Sequence, residues 1–161
     1  MGIRASYMMI DDSLEELLES DSQMLENMSS AEFKTAEIDK AWDMVHFVLT
    51  GNSASDPIEG DPLSESIVGA HPHIVNDEAY VAYTRVEELS NIISALELFN
   101  IDEIQETFDP EELKMAQLYP SELWEEDADE LIEEITDVII LLTDFYKEAK
   151  EKNLHVVITF V

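Results

Sequence analysis

Apolar side chains recur along this chain at two spacings. Ile3, Ala5, Tyr7 and Met9 alternate with Arg4 and Ser6, the period-two pattern of a strand. Leu154, Val156, Ile158 and Phe160 alternate with His155, Val157, Thr159 and Val161, so both faces of the last segment are largely apolar. A strand of that kind belongs inside a sheet, and the first strand is its expected neighbour. Residues 79–84, with Tyr80 and Tyr83, read as a third strand.

The helical period appears most clearly twice. Val86, Leu89, Ile92, Ile93, Leu96 and Phe99 share one face behind Thr84-Arg85-Val86-Glu87, which has the spacing of a capping box. Leu131, Ile132, Ile135, Val138, Ile139, Leu142, Phe145, Tyr146 and Ala149 define the longest helix, capped by Asp127 and running to about residue 150. Ile140 and Leu141 widen its stripe, which predicts a central helix covered on more than one side. Arg85 stands in a first turn, where the helix dipole disfavours a cation, so it is expected either to be held by a nearby carboxylate or to hold an anion, the first being favoured in so acidic a chain.

Shorter helices are expected after Asp12 or Ser13, the latter with capping-box spacing to Glu16, from Pro62 behind the cap Asp61, over 100–107, and from Pro110 to about residue 118. Tyr119-Pro120 stops the last of these, and one further turn surrounds Trp124. Residues 19–34 are polar with scattered Met24, Leu25, Met28 and Phe33 and read as helix and loop with a short strand near Phe33. The sum is an α+β protein: a single domain over 1–161, in which a small sheet including the N- and C-terminal strands packs against several helices.

The candidate chemistry concentrates in residues 38–69. A helix over 38–50 places Ile38, Trp42, Val45 and Leu49 on an apolar stripe and Asp39, Asp43, His46 and Thr50 on a polar stripe beside it. The polar stripe is expected at the rim of the buried face, where an imidazole near carboxylates can titrate close to neutrality. Asp43 would orient His46 as a general base, with Thr50 and Ser53 as hydroxyls near the following loop. Trp42, Asp39, Gly51, Ser53, Asp61 and Tyr119 complete the candidate binding set. The structural alternative is that His46 closes an internal hydrogen bond and Thr50 ends the helix ahead of Gly51.

The run Trp42, Asp43, His46, Phe47, Leu49, Thr50, Gly51, with Pro62-Leu63, Gly69 and Tyr119-Pro120, resembles the YfbM-like family of bacterial proteins, a domain of unknown function. The resemblance covers nearly the whole chain. It implies one α+β domain, a bacterial cytoplasmic setting and no cofactor, and it brings no catalytic residues with it.

At 161 residues the chain is long enough to bury a sizeable core. It contains no Cys, which removes disulfides, thiolate metal sites and cysteine nucleophiles together and suits the cytoplasm. No apolar run is long enough to span a membrane. Eight basic residues against 38 acidic ones give a formal net charge of −30. Nucleic-acid binding is therefore excluded, since it depends on Lys and Arg neutralising phosphates. A basic protein is the natural partner, and solubility is the bland explanation of the same charge.

Asp56, Glu59 and Asp61 in the 51–62 loop lack the spacing of a calcium loop. His71-Pro72-His73 with His46 would supply three imidazoles, but Pro72 turns its neighbours apart, and no metal site is assigned. Two functions remain. One is an acidic binding or regulatory module, of the immunity type, for a basic partner; the other is a small hydrolase or transferase using His46 and Asp43. Binding is favoured, because the charge is certain and the catalytic geometry is inferred.

Overall fold

The computed structural model describes residues 2–20, 33–76 and 79–161. Met24, Leu25 and Met28 fall outside those residues. The architecture is α+β: one antiparallel five-stranded sheet, in the order β2-β1-β5-β4-β3, with helices on its faces. The strands are β1 (Ala5–Ile10), β2 (Thr35–Asp39), β3 (His71–Val75), β4 (Tyr80–Thr84) and β5 (His155–Phe160). Among the described residues the α-helices are α1 (Leu14–Glu19), α2 (Trp42–Thr50), α3 (Pro62–Val68), α4 (Leu89–Leu98), α5 (Ile104–Thr107), α6 (Pro110–Met115) and α7 (Ala128–Glu151).

The two-sided apolar character of β5 places it in the middle of the sheet. All six of its residues are buried, and it pairs with β1 on one side and β4 on the other. Tyr7, Met9, Val156 and Ile158 face the main core with α2, α3, α4 and α7. Met8, Ile10, Val81 and Val157 face a smaller cluster closed by Leu14 and Leu17 of α1. The period-two pattern thus sends alternate residues into two separate cores.

Two buried phenols tie the layers together. The Tyr7 hydroxyl donates to the Ile67 carbonyl at 2.7 Å and the Tyr146 hydroxyl to the Ser66 carbonyl at 2.6 Å, so β1 and α7 both grip the end of α3. Gly69 then turns the chain at φ 85°, and a Cβ there would stand 2.8 Å from Ala82 Cβ and 3.0 Å from Ile158 Cδ1. Glycine is what permits this approach to the sheet.

Several expectations need correction. The helix expected over 38–50 is two elements. Residues 35–39 form β2, with Ala36 and Ile38 pointing inward, and the helix starts only at Trp42. Ile38 and Trp42 are both core residues four apart, and this coincidence imitates one helical face across a strand and a helix. Asp39 closes the strand at φ 51° and faces Arg4 at 2.9 Å, away from the polar residues of α2.

The segment after β4 opens differently as well. Thr84 is buried at the strand end and its hydroxyl accepts the Ala70 N–H, while a 3-10 turn over Val86–Glu88 precedes α4 and Glu88 caps back onto the Arg85 N–H. Arg85 does find a carboxylate, Glu15, at 2.6 Å. Ser13 makes no side-chain cap; Asp11 receives its N–H instead. α6 ends at Met115 because Gln117 turns the chain at φ 54°. Ile140 and Leu141 are 48% and 42% exposed, so α7 has one buried face and one wet face rather than cover on several sides.

Candidate functional site

α2 supplies the residues on which the sequence focuses. It buries Trp42, Asp43, Met44, Val45, His46 and Leu49 and ends on Gly51 in the left-handed conformation, whose N–H returns to the Phe47 carbonyl at 2.7 Å. The expected cap after Thr50 is therefore present. The expected rim position is not: Asp43 is 4% exposed and His46 is fully buried.

The two side chains have separate partners. Asp43 Oδ1 accepts the Ser53 hydroxyl at 2.8 Å and the Ala54 N–H at 2.7 Å, and Oδ2 accepts the Tyr119 N–H at 2.8 Å. Three donors on a buried carboxylate offset its loss of water. Asp43 makes no hydrogen bond to the imidazole, so the proposed orienting pair does not form.

His46 Nδ1 lies 2.8 Å from the Asn52 carbonyl, which can only accept, and this fixes the proton on Nδ1. Nε2 then accepts the Ser64 hydroxyl at 2.7 Å, and Ser64 Oγ accepts the Ile58 N–H at 3.0 Å. Burial holds the imidazole below its usual pKa, against the opposing pull of the Asn52 carbonyl and of Asp43, Asp61 and Asp56. The ring is thus neutral at pH 7. Thr50 completes the knot, donating to the His46 carbonyl at 2.8 Å and accepting the Asn52 N–H at 3.1 Å.

The remaining candidates are also placed by structure. Asp61 caps α3 by accepting the Leu63 N–H at 2.9 Å, as its sequence position predicts. Trp42 is stacked between Tyr119 and Phe160 and donates through Nε1 to the Ile3 carbonyl. Tyr119 Oη accepts the Ile3 N–H, and the Tyr119-Pro120 bond is cis. Asp43, His46, Thr50, Gly51, Ser53 and Asp61 thus gather at one loop, Tyr119 reaches it through its backbone, and Asp39 stands apart. Sequence reasoning missed Ser64. The Asp61-Pro62 cap fixes where α3 begins, and that was the signal that could have placed Ser64 on its inward face.

The three imidazoles are not brought together. His71 pairs with Glu88 at 2.8 Å and His73 bonds the Leu18 carbonyl at 3.0 Å. Among the described residues no group of three His, Asp or Glu side chains is placed to hold a metal ion.

Beyond Ser64 lies a concavity of about 380 Å³ between the 57–60 loop, α3 and strands β3 and β4. Ser64 is on its wall and His46 is not. A second hollow, about 300 Å³, runs along the wet face of α7 between Glu130, Glu133, Glu134, Asp137, Val138 and Leu141. Burial, Glu126 and Asp39 together push the Glu134 carboxyl up. Between Asp102 and Glu134 there are 14 acids and one base. Among the described residues none of those acids forms an ion pair; the Lys and Arg pairs are Arg4–Asp39, Lys34–Glu148, Arg85–Glu15, Lys147–Glu97 and Lys152–Glu148.

The model of a family described as a domain of unknown function, DUF1877, matches residues 1–159. The chain belongs to the DUF1877 family. It is 31% identical over 133 residues to Protein YfbM of Escherichia coli (strain K12), covering 80% of each chain. The crystal structure of that protein of unknown function superposes with a TM-score of 0.82 at 29% identity, covering 98% of this chain and 99% of the other. The DUF1877 fold is thus shared over nearly its full length, and the resemblance read from the Trp42 to Gly51 run holds. Family membership assigns no reaction. Among the described residues no helix is long and apolar enough to cross a membrane.

Proposed function

We propose that the protein is a non-catalytic binding module of the bacterial cytoplasm that engages a basic protein through the acidic face of α7 and the turns preceding it. The observation that carries this reading is the run of carboxylates from Asp102 to Glu134, none of them internally paired among the described residues, while Arg4, Lys34, Arg85, Lys147 and Lys152 pair with acids outside it. Around the α7 hollow the acids Glu130, Glu133, Glu134 and Asp137 flank Val138 and Leu141. Charge at the rim with apolar surface between suits a Lys- or Arg-bearing segment with a hydrophobic side.

The burial of His46 favours binding over the general-base alternative. Its ring lies inside the protein and both nitrogens are occupied, while all of Asp43's hydrogen bonds go to Ser53, Ala54 and Tyr119.

The test is capture of basic proteins from lysate by the wild type and by a quadruple variant, Glu130→Gln, Glu133→Gln, Glu134→Gln and Asp137→Asn. A specific basic partner should be retained by the wild type, released as salt rises and lost in the variant. Equal retention by both proteins, or no specific partner at low ionic strength, overturns the reading.

A further inference from the structure

The concavity beside α3 is shaped by groups already held in place. His46 fixes the Asn52 carbonyl, Asp43 fixes Ser53 and Ala54, and Ser64 fixes the Ile58 N–H, so the loop forming one wall is pinned at three points. On the opposite wall the Tyr80 hydroxyl donates to the Val68 carbonyl at 2.7 Å. At about 380 Å³ the space lies within the range of small-molecule sites, roughly 300–1,000 Å³. A wall fixed in advance spares the ordering cost that binding otherwise carries.

One ionisable group on this wall has no structural task. Glu65, in the middle of α3, is half-buried, and among the described residues its carboxylate takes no hydrogen bond and no ion pair. Burial pushes its pKa up, with Glu88 and Asp61 acting in the same direction and only His71 opposing. Glu59 lines the same space from the exposed loop. The rest of the lining is mostly apolar, including Pro57, Ile58, Val68 and Pro72, with the Tyr80 side chain beside them.

We propose that this concavity binds a small aliphatic ammonium ion, with Glu65 as its counter-charge and the Val68, Pro72 and Tyr80 wall against its hydrocarbon. Charge and shape select that class. A hard metal ion requires about six oxygen ligands, which a mostly apolar wall does not offer. A carboxylic acid meets Glu65 and Glu59 with like charge. The inference is independent of the acidic face of α7.

The test is an amide-resolved NMR titration at pH 7 in 0.15 M NaCl with n-butylamine and 1,4-diaminobutane, against n-butanol and butyrate as neutral and anionic controls. Saturable shifts at Ile58, Gly60, Glu65 and Gly69 are expected for the amines. Glu65→Gln should weaken amine binding at least about tenfold, the loss expected for one charge-assisted hydrogen bond. Glu65→Gln removes no internal bond, so the variant should fold, and its melting curve checks this. Glu133→Gln on α7 should change nothing at this site. Shifts that fail to saturate, that centre on the α7 acids, that survive Glu65→Gln, or that n-butanol reproduces at equal affinity overturn the proposal.

Discussion

The Asp43 carboxylate receives the Tyr119 N–H at 2.8 Å across 76 residues of sequence. The same side chain holds Ser53 and Ala54. One buried charge therefore joins α2, the loop that follows it and the segment ahead of the 3-10 turn at Ser121–Glu125. Asp43→Asn keeps the shape but turns one acceptor into a donor against these N–H groups. Loss of about 3 kcal/mol is expected from hydrogen bonds to a charged group, read as a lower urea midpoint with an unchanged slope.

His46 gives the stability a pH dependence of known sign. Burial lowers its pKa in the folded state from the ordinary 6.5, so the unfolded chain binds the proton more tightly. Its contribution is complete above about pH 6.5 and is lost as pH falls below that value. Denaturation of wild type and His46→Gln between pH 5 and 8 should show their stability difference shrinking on the acid side. A difference independent of pH would contradict the neutral, Nδ1-protonated ring.

Two glycines with the same φ of 85° should respond differently to alanine. At Gly69 the new Cβ meets Ala82 Cβ at 2.8 Å in a backbone region suited only to glycine, and about 2–4 kcal/mol should be lost. At Gly51 nothing lies within 4 Å, and Gly51→Ala should cost only the left-handed backbone term, about 1 kcal/mol. Thermal melts of the two variants compare them directly.

Added salt should raise the melting temperature. A net charge of −30 repels itself, and the acids of residues 102–134 have no internal counter-charge among the described residues to offset it. The slope should be shallower in the quadruple α7 variant. A melting temperature flat in salt would mean that the charges compensate one another locally.

The elements legible in the sequence are those whose periodicity has one cause. β5 is apolar on both faces because it lies between two strands and two cores, and α7 shows its buried stripe because a single packed face defines it. Asp61-Pro62 marked α3 correctly because capping is a local interaction. The junction at residues 38–42 was misread because Ile38 and Trp42 enter the same core from different elements, and spacing alone does not separate a helical repeat from that coincidence. The site was legible as a neighbourhood, since Asp43, His46, Thr50 and Ser53 do meet the 51–61 loop. Their pairing was not, because His46 bonds Ser64 and Asp43 bonds a backbone N–H beyond residue 100, contacts that no local pattern encodes.

The place of β5 in the sheet governs how the chain acquires its shape on the ribosome. Both strands that flank β5 precede it in sequence, so β1 with β2 and β3 with β4 are translated as two strand pairs that share no sheet hydrogen bonds until β5 is added. Two-stranded sheets are marginal in water, and the pairings of β5 with β1 span most of the chain. A nascent chain arrested ahead of residue 155 therefore lacks the one strand through which the two pairs become a single sheet.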